Sequence, residues 1–599
     1  MKETIQNTYE NRQAQFKKEA SAAKSQYTTL SWARVILFVA SIVGIVILVD
    51  EKNGEAAGIV LLFAIIAYLT LLKTHAKLRF KLKTASALEQ INSDEIKRLN
   101  SDYYGFNEGK KYYKATHPYH EDLDVFGKHS VFQLINRTST YIGEKILAKW
   151  LGESADSNEI IGRQESVKEL TPEIDFRHQF QAYGMVEDST EIDHQPMLDW
   201  LKEDSTVKNS LFYKVVLAIM PLATVSTIVL SSMGHLQSGV PILLGFVNVI
   251  ILGWVFYKVQ AISKQTERGY KSLNALRFHI DMIEKSHFKS EKLKAFKSTL
   301  EHDSTKASKT IKDLQLILNS LQSRTNMLYI IFDILLLLDV FWYIRVNAWK
   351  KENQTDIAKW FETIGELDAL ISMAGLAYSN PDFSYPTISQ DHFDIKATGL
   401  GHPLIKSKNR VTNNFEFHGQ GGICLITGSN MSGKSTFLRT VGVNCTLGLI
   451  GAPVCAKEMT VSDLKIFTSM RSQDDLEENV SSFYAELKRL KQLLAYIDGK
   501  TPVLFMIDEV LKGTNSKDRH KGALALIKQL NLAYAFGFVS THDIELGNIT
   551  NELQGVKNYS FNSEIIGDEI KFDYTLTPGI CKSFNATKLM QKMGIEIPD

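Results

Sequence analysis

Four long apolar runs dominate the hydrophobic pattern of the chain, at residues 35–49, 56–72, 215–233 and 239–257. Each run approaches the roughly 20 apolar residues that a helix needs to cross a bilayer. The runs form two pairs, each joined by a short turn, and no run contains a charged residue. This pattern predicts two transmembrane helical hairpins. The alternative is that the runs are buried helices of a large soluble core.

Basic residues flank the open ends of both hairpins, whereas the two turns are acidic or nearly uncharged. Around the first hairpin these flanking residues are Arg12, Lys17, Lys18, Lys24, Arg34, Lys73, Lys77, Arg79, Lys81 and Lys83. Short cytosolic flanks of membrane helices carry the excess of Lys and Arg. The N-terminus and all large segments are therefore predicted to face the cytosol. The chain is expected to be an integral protein of the inner or cytoplasmic membrane, embedded in the lipid bilayer.

A fifth apolar run, 327–344, contains Asp333 and Asp339. Carboxylates at membrane depth are costly, and a fifth span would place the C-terminal region outside the cell. The run is therefore predicted to be a buried helix of the soluble body, with a fifth span as the alternative.

The remaining pattern divides the chain into five segments. Residues 1–85 hold an N-terminal helix and the first hairpin, 86–210 a linker and the first part of a helical core, and 211–258 the second hairpin. Residues 259–394 are predicted to form a helical core or lever. The stretch 258–325 is Lys-rich and mostly helical, and a solvated helical arm is favoured there over a DNA-contacting face. From residue 395 to 599, short β-rich runs alternate with helices, which predicts an α/β domain with a mainly parallel sheet.

Charge and cysteine content narrow the function. The 68 Lys and Arg residues nearly balance the 67 Asp and Glu residues, which argues against a protein that coats nucleic acid over its whole surface. Any DNA contact would have to be local. The four cysteines lack CxxC spacing and are expected to be reduced core thiols.

Residues 428–436 read Gly-Ser-Asn-Met-Ser-Gly-Lys-Ser-Thr and fit the pattern GxxxxGK(S/T) of a phosphate-binding loop. The loop follows the β-rich run 423–427 and precedes a helical run, which is the context it requires. Backbone amides of such a loop surround phosphate oxygens at a helix N-terminus. The predicted nucleotide-binding residues are Gly428, Ser429, Asn430, Met431, Ser432, Gly433, Lys434, Ser435, Thr436 and, as described next, Asp508.

Two further apolar strands end in residues that suit ATP hydrolysis. The run 503–507 leads into Asp508, which suits a contact to Mg²⁺, and Glu509, which can orient or deprotonate the attacking water. The run 536–540 leads to His542, which is expected to sense the γ-phosphate, with a structural histidine as the alternative. The catalytic candidates are therefore Lys434, Glu509 and His542, and the Mg²⁺ ligands are Ser435 and Asp508.

These motifs resemble those of the MutS DNA mismatch-repair family. The loop 428–436 is similar to the family's GPNMGGKST loop, and Gly401-His402-Pro403 resembles an element upstream of it. Other similar segments are Asp474-Asp475-Leu476, Ser481-Ser482-Phe483 with Glu486, Asp508-Glu509 with Gly513-Thr514-Asn515, and Ser540-Thr541-His542. Weaker likeness extends to 140–151 and 366–370. The resemblance implies an α/β P-loop ATPase domain of the ABC/MutS type, preceded by a mainly α-helical MutS-like core that carries the two inserted hairpins.

Together with the two predicted hairpins, the resemblance implies a membrane-anchored ATPase that uses ATP and Mg²⁺ and forms a homodimer through its ATPase domains. In that dimer Ser481 would contact the γ-phosphate of ATP bound to the neighbouring subunit. Binding of mismatched DNA, with a role in mismatch repair or DNA-damage sensing, is implied as well. No small-molecule substrate beyond ATP is evident.

Several departures from the family leave other functions open. The first hairpin stands where the family has its mismatch-reading domain, and Lys512 replaces the usual arginine. A protein client at the membrane is therefore an alternative to DNA. The ATPase subunit of a transporter is a second alternative, although its LSGGQ signature is absent. A scaffold with a degenerate nucleotide switch is a third, against which the intact Lys434, Ser435, Asp508 and Glu509 argue.

Overall fold

The computed structural model of the protein describes residues 2–187, 195–203, 210–267, 269–302, 305–471, 482–512, 514–566 and 569–581. The described part is mostly helical, and its two larger sheets lie in the C-terminal part. Its helices are α1 (Lys2–Asp50), α2 (Gly54–Leu99), α3 (Val131–Ile135), α4 (Tyr141–Gly152), α5 (Ser157–Leu170), α6 (Ile174–Val186), α7 (Gln195–Lys202), α8 (Ser210–Ser232), α9 (Gly239–Thr266), α10 (Gly269–Lys285), α11 (Glu291–Leu300), α12 (Ala307–Gln322), α13 (Met327–Leu336), α14 (Leu338–Ser379), α15 (Lys434–Leu449), α16 (Ser482–Tyr496) and α17 (Ser516–Asn531).

The strands are β1 (Glu301–His302), β2 (Thr305–Lys306), β3 (Thr387–Ser389), β4 (Asp394–Leu400), β5 (Asn413–His418), β6 (Ile423–Gly428), β7 (Glu458–Ser462), β8 (Lys465–Ser469), β9 (Val503–Asp508), β10 (Ala535–Thr541), β11 (Val556–Ile566) and β12 (Glu569–Pro578). The main sheet has six strands in the order β12-β11-β6-β10-β9-β8. Strands β11, β6, β10, β9 and β8 are mutually parallel, and only β12 pairs antiparallel. The predicted mainly parallel sheet is confirmed. A smaller sheet has four strands in the order β3-β7-β4-β5, and these strands also come from the C-terminal part of the chain.

Helices α1 and α2 form a long antiparallel pair whose middle part is apolar and exposed. The turn between them ends at Asn53, whose side chain accepts a hydrogen bond from Ala56 N and so caps α2. Ile36 is 65% exposed and Phe63 is 67% exposed. By length and composition, four helices of the described part could cross a membrane, namely α1, α2, α8 and α9.

The prediction for the fifth apolar run is wrong in its first half. Helix α13 contains no buried residue, and Met327 is 78% exposed. Leu337 adopts a left-handed conformation, and the chain turns by 83° before α14 begins. Instead of continuing as one buried helix, the run breaks and α13 packs beside α8 and α9.

The two carboxylates explain how this break is satisfied. Asp333 accepts a hydrogen bond of 2.7 Å from Asp339 N in the first turn of α14. Asp339 in turn accepts from the Tyr329 hydroxyl and pairs with Arg324 at 2.7 Å. In the second half of the run, Asp339, Val340 and Tyr343 are buried, as predicted.

Helix α14 is the central helix of the soluble body, and most of its C-terminal half is buried. Its Asp368 carboxylate is completely buried and accepts hydrogen bonds from Ser139 N, Thr140 N and the Thr140 hydroxyl. Thr140 also caps α4. Burial raises the pKa of Asp368 to about 7, against the opposing effect of these donors.

One apolar cluster runs from the helical body to one face of the main sheet, and a smaller cluster fills the opposite face beneath α16 and α17. The body and the C-terminal sheet therefore share a continuous core. All four cysteines are buried and none forms a disulfide, which confirms their prediction as core thiols.

A buried carboxylate, Glu95, connects the first helical pair to the body. Arg137 donates to both of its oxygens at 2.7 and 2.9 Å, and Arg98 donates at 3.0 Å. Ser379 donates to Glu95 at 3.0 Å and lies 3.0 Å from the Tyr9 hydroxyl. Burial alone would raise the pKa of Glu95, but the two guanidinium groups outweigh it and lower the pKa to about 2.

We expect Arg137→Met to destabilise the purified protein by about 3–5 kcal/mol, because it leaves the Glu95 carboxylate buried with too few partners. Urea unfolding followed by tryptophan fluorescence measures this loss. Since folding lowers the pKa of Glu95, the ion-paired carboxylate stabilises wild type above the unfolded pKa of about 4.5 and loses that effect as pH falls toward 2. Arg137→Met should lack most of this pH dependence.

The control is Lys528→Met, which removes the solvent-exposed partner of Glu552 and should cost less than about 1 kcal/mol. Adding Glu95→Gln to Arg137→Met should recover part of the loss. Equal urea midpoints for Arg137→Met and the control would contradict this account of Glu95.

Candidate nucleotide-binding site

The loop 428–436 connects the fully buried strand β6 to the N-terminus of α15. Gly433 has a φ of 108° directly before the first helical residue, Lys434, a conformation that favours glycine. Ser435 and Thr436 continue into the first turn and are more accessible than Lys434. The predicted strand, loop and helix are therefore present in the expected order.

Lys434 is folded back onto its own loop. Its ammonium donates to the carbonyl oxygens of Gly428 and Ser429, both at 2.9 Å, and the residue is 4% exposed. Burial lowers the pKa of Lys434, partly offset by the nearby carboxylates of Glu509 and Asp508. This proximity places the lysine and both predicted acidic residues in one site.

The polar atoms of the loop suit an anionic ligand. The hydroxyl oxygens of Ser429 and Ser432 are buried, and neither has a hydrogen-bond partner within the described residues. Asn430 is exposed and Met431, at a φ of 64°, is 79% exposed. Buried hydroxyl groups without partners are unfavourable, and phosphate oxygens would supply acceptors for them.

The carboxyl ends of three adjacent strands bring the remaining residues to this loop. In the parallel register Thr541 of β10 lies opposite Thr427 of β6, and Ser540 lies opposite Asp508 of β9. Asp508 is 8% exposed and accepts a short hydrogen bond from the Ser540 hydroxyl. Asp508 is thus held at the edge of the sheet where the loop begins.

Both carboxylate oxygens of Glu509 are engaged. His542 Nε2 lies 2.7 Å from one oxygen, and Lys512 Nζ lies 3.1 Å from the other. The hydrogen bond to His542 lowers the pKa of Glu509 most strongly, Lys512 adds to it, and burial opposes both, leaving a pKa of about 2. The structure therefore places His542 against Glu509, while its role at the γ-phosphate stays a prediction.

Lys512 and Glu486 have roles that the sequence patterns did not reveal. The Glu486 carboxylate accepts from the backbone N–H groups of Leu511 and Lys512 and so holds the turn after β9 against α16. Glu509 and Leu511 both have positive φ, at 56° and 58°. The motif likeness pointed to Glu486 and Lys512, but their contacts with this turn could not be read from it.

Tyr574 was also missed, because it comes from the distant hairpin β11–β12. Its ring carbon lies 3.1 Å from the position that a Cβ atom on Gly433 would occupy. Asn413 fixes this hairpin, since its side chain donates to Tyr574 O and accepts from Leu576 N. Tyr574 also has a positive φ of 56°, a backbone conformation that the sequence does not reveal.

Residues 115–125, here called the connector, join the site to the helical body. Asp122 accepts from the Thr468 hydroxyl, Met470 N and Arg471 N at 2.7–3.1 Å. Asp124 pairs with Arg471 at 2.8 Å and lies 3.6 Å from Arg439 of α15. The connector is therefore anchored to β8 and to the helix that follows the phosphate-binding loop.

Three predictions fall outside the described residues. Ser481, expected to act across a dimer, is one of them, and so are Asp474-Asp475-Leu476 and Gly513. Near the site, His520, Asp543 and the exposed Glu545 have ligand atoms within 4.8 Å of one another. His520 and Asp543 already pair at 2.6 Å, which accounts for their proximity.

Comparison with known proteins finds a family model that matches the C-terminal region and several similar proteins. Residues 424–596 match the family model for MutS domain V. The chain is 31% identical over 236 residues to the DNA mismatch repair protein MutS of Natronomonas pharaonis, covering 39% of this chain and 27% of that protein. It is 32% identical over 254 residues to MutS of Thermotoga neapolitana, covering 41% and 30%. It is 30% identical over 254 residues to endonuclease MutS2 of Lactococcus lactis, covering 42% and 30%.

Each of these alignments spans less than a third of the relative's length. The remaining two thirds or more of each relative lie outside the alignment.

Proposed function

Since the C-terminal region of this chain belongs to the MutS family, whose members are ATPases, we propose that the protein binds ATP with Mg²⁺ and hydrolyses it. The observation that carries this proposal is the convergence of Lys434, Asp508 and Glu509 at the carboxyl edge of three neighbouring parallel strands. Ligands of α/β proteins bind at that edge.

The loop residues supply the phosphate contacts. The Lys434 ammonium exchanges its two carbonyl partners for phosphate oxygens, and the hydroxyls of Ser429 and Ser432 gain the acceptors they lack. Ser435 and Asp508 would hold Mg²⁺, which neutralises charge on the phosphate oxygens. Backbone amides at the start of α15 add positive potential at the same place.

Glu509 is the proposed acceptor of the proton from the attacking water. Both of its carboxylate oxygens are already engaged, so accepting this proton would displace the contact to His542 or the contact to Lys512. In a homodimer formed through the ATPase domains, Ser481 of one subunit would complete the site of the other, so that dimer contacts and release of Glu509 could be linked.

We expect Lys434→Ala to weaken ATP binding by about 100-fold, because charge-assisted hydrogen bonds worth about 1.5–3 kcal/mol each are lost. Glu509→Ala should keep ATP binding and lower kcat by about 100- to 10,000-fold. Equilibrium binding of a fluorescent ATP analogue and steady-state phosphate release measure the two effects.

Lys396→Ala is the matched control, since this lysine is exposed and paired with Glu416 on the small sheet. It should change neither quantity. Unchanged hydrolysis by Glu509→Ala would show that another group activates the water.

We also propose that α1 with α2 and α8 with α9 cross the membrane as two hairpins, with the N-terminus, body and ATPase domain in the cytosol. The exposed apolar faces of these helices and the basic residues at their open ends support this placement. Under this proposal α13 enters the bilayer partway beside the second hairpin.

Single cysteines at Glu51 and His235, in the two hairpin turns, should react with a membrane-impermeant maleimide in intact cells. Lys396→Cys, on the small sheet, should react only after lysis. The native cysteines are buried and give little background. A Glu51→Cys protein that is protected in intact cells but labelled after lysis would contradict the proposed orientation.

DNA is the ligand that the relatives' names suggest, and we propose mismatched or branched DNA as the first candidate substrate, with a role in DNA repair. The balanced charge of the chain confines such a contact to a local surface. A protein client at the membrane is the second candidate, because the first hairpin stands where a mismatch-reading domain would be expected.

If DNA is the partner, ATP turnover should rise several-fold with mismatched or branched duplex at low salt and the effect should weaken steeply as salt increases. Perfectly paired duplex of the same length is the control. No binding and no stimulation at the lowest salt would favour the protein client.

A further inference from the structure

A second cavity lies away from the phosphate-binding loop, between the segment 111–120 and the helices α4, α7 and α14. Its volume is about 530 Å³, which is in the range of small-molecule sites. Apolar side chains form much of its wall, among them Ile142 and Ile146 of α4, Leu198 of α7 and Phe361 of α14. None of the residues that line it belongs to the loop 428–436 or to the acidic pair after β9.

The rim of this cavity is positively charged. Four lysines line it, against two glutamates, Glu153 and Glu362. Lys111 pairs with the buried Glu144 at 2.8 Å, and Lys149 lies 4.0 Å from Glu153. For Lys114 and Lys145, no carboxylate lies within 4 Å among the described residues. With Glu144, Glu153 and Glu362 set against the four lysines, the cavity keeps an excess of one positive charge, which would attract an anion.

A histidine in the wall lacks hydrogen-bond partners. His120 is 4% exposed, and both of its ring nitrogens are buried without a partner in the described structure. Its ring stacks on His117 at 3.4 Å between centroids, and His117 Nε2 lies 3.0 Å from Gly152 O. Burial lowers the pKa of His120 to about 3, so its neutral imidazole offers one donor and one acceptor near neutral pH.

Three features of the cavity thus restrict its ligand. The rings of Tyr112, Tyr141 and Phe361 suit a flat apolar body, the lysines suit an anionic group, and His120 suits a polar edge. Inorganic phosphate would leave the apolar walls uncovered, and an acyl chain would leave His120 without a partner. We propose that this cavity binds a small aromatic anion, a planar ring with a hydrogen-bonding edge and one phosphate or carboxylate group.

The cavity is also joined to the ATPase region. Arg489 of α16 donates to His117 O at 3.2 Å and to Pro118 O, and Thr468 N donates to Pro118 O at 3.0 Å. A ligand in contact with His117 and His120 therefore touches the segment that β8 and α16 hold. Binding to this cavity does not require ATP hydrolysis, and the tests below measure the chemical labelling of an introduced cysteine.

The first test uses Ala358→Cys, because Ala358 is an exposed alanine of α14 that lines the cavity. Its rate of modification is measured with two methanethiosulfonates of similar size, one carrying a sulfonate and the other a trimethylammonium group. We expect the anionic reagent to be favoured about tenfold relative to a control cysteine at Gln354, on the same helix outside the cavity. Lys145→Gln with Lys149→Gln, both exposed positions, should abolish this preference.

The second test measures protection of Ala358→Cys by 4-hydroxyphenyl phosphate. Tyramine, which carries the same ring with a cationic group, and inorganic phosphate are the controls. We expect the aryl phosphate alone to slow modification at least fivefold at millimolar concentration. His120→Phe, which keeps an aromatic ring at this position but removes both nitrogens, should reduce this protection, and so should the double lysine variant.

Equal reactivity of Ala358→Cys with both reagents would overturn the anionic specificity. Protection by tyramine or by inorganic phosphate to the same extent as by the aryl phosphate would overturn the proposed ligand class. Protection that survives in the double lysine variant would do the same. If His120→Phe fails to fold, the lysine variant, altered only at exposed positions, decides the outcome.

Discussion

The arrangement of the molecule depends on the buried carboxylate of Glu95. Glu95 lies on α2, near the end of the first helical pair, and besides Arg98 of the same helix its partners come from two other places in the chain. Arg137 precedes α4, Ser379 ends α14, and Tyr9 reaches Ser379 from α1. A buried charge tolerates little displacement of its partners. This cluster, together with the apolar contacts of α2 with α6, fixes where the first pair joins the body.

A second polar junction carries this arrangement to the nucleotide-binding site. Asp122 and Asp124 hold the connector against β8, and Arg439 belongs to the helix whose N-terminus forms the phosphate-binding loop. Leu123 packs closely on the same helix, since a Cβ atom on Gly442 would lie 2.6 Å from it. A shift of α15 on phosphate binding would therefore act directly on the connector. The body and the site share one core, so such a shift cannot remain confined to the loop.

The parts of the candidate site whose place in the fold could be predicted are those encoded in consecutive residues. The loop 428–436 and the acidic pair after β9 combine short motifs with apolar strands, and parallel pairing then brings their ends together. Contacts made between distant segments were not predicted. Tyr574 reaches the loop from a hairpin more than a hundred residues away, and the pairing of Lys512 with Glu509 depends on a turn with positive φ. Hydrophobic periodicity and motif spacing do not predict contacts of this kind.

The prediction of a buried helix at residues 327–344 was wrong for a different reason. Carboxylates are most costly in an apolar helix that is continuous, where every backbone group is already paired. At a break, backbone groups lose their partners, and polar side chains become useful. Asp333 accepts from Asp339 N, and Asn248 of α9 donates to Ile334 O at 2.8 Å while also binding Thr224 of α8. The same acidic residue that argues against a straight apolar helix therefore stabilises the bend between α13 and α14. An acidic residue within such a run indicates either burial in the body or a helix break, and a polar residue such as Asn248 in a neighbouring apolar helix favours the break.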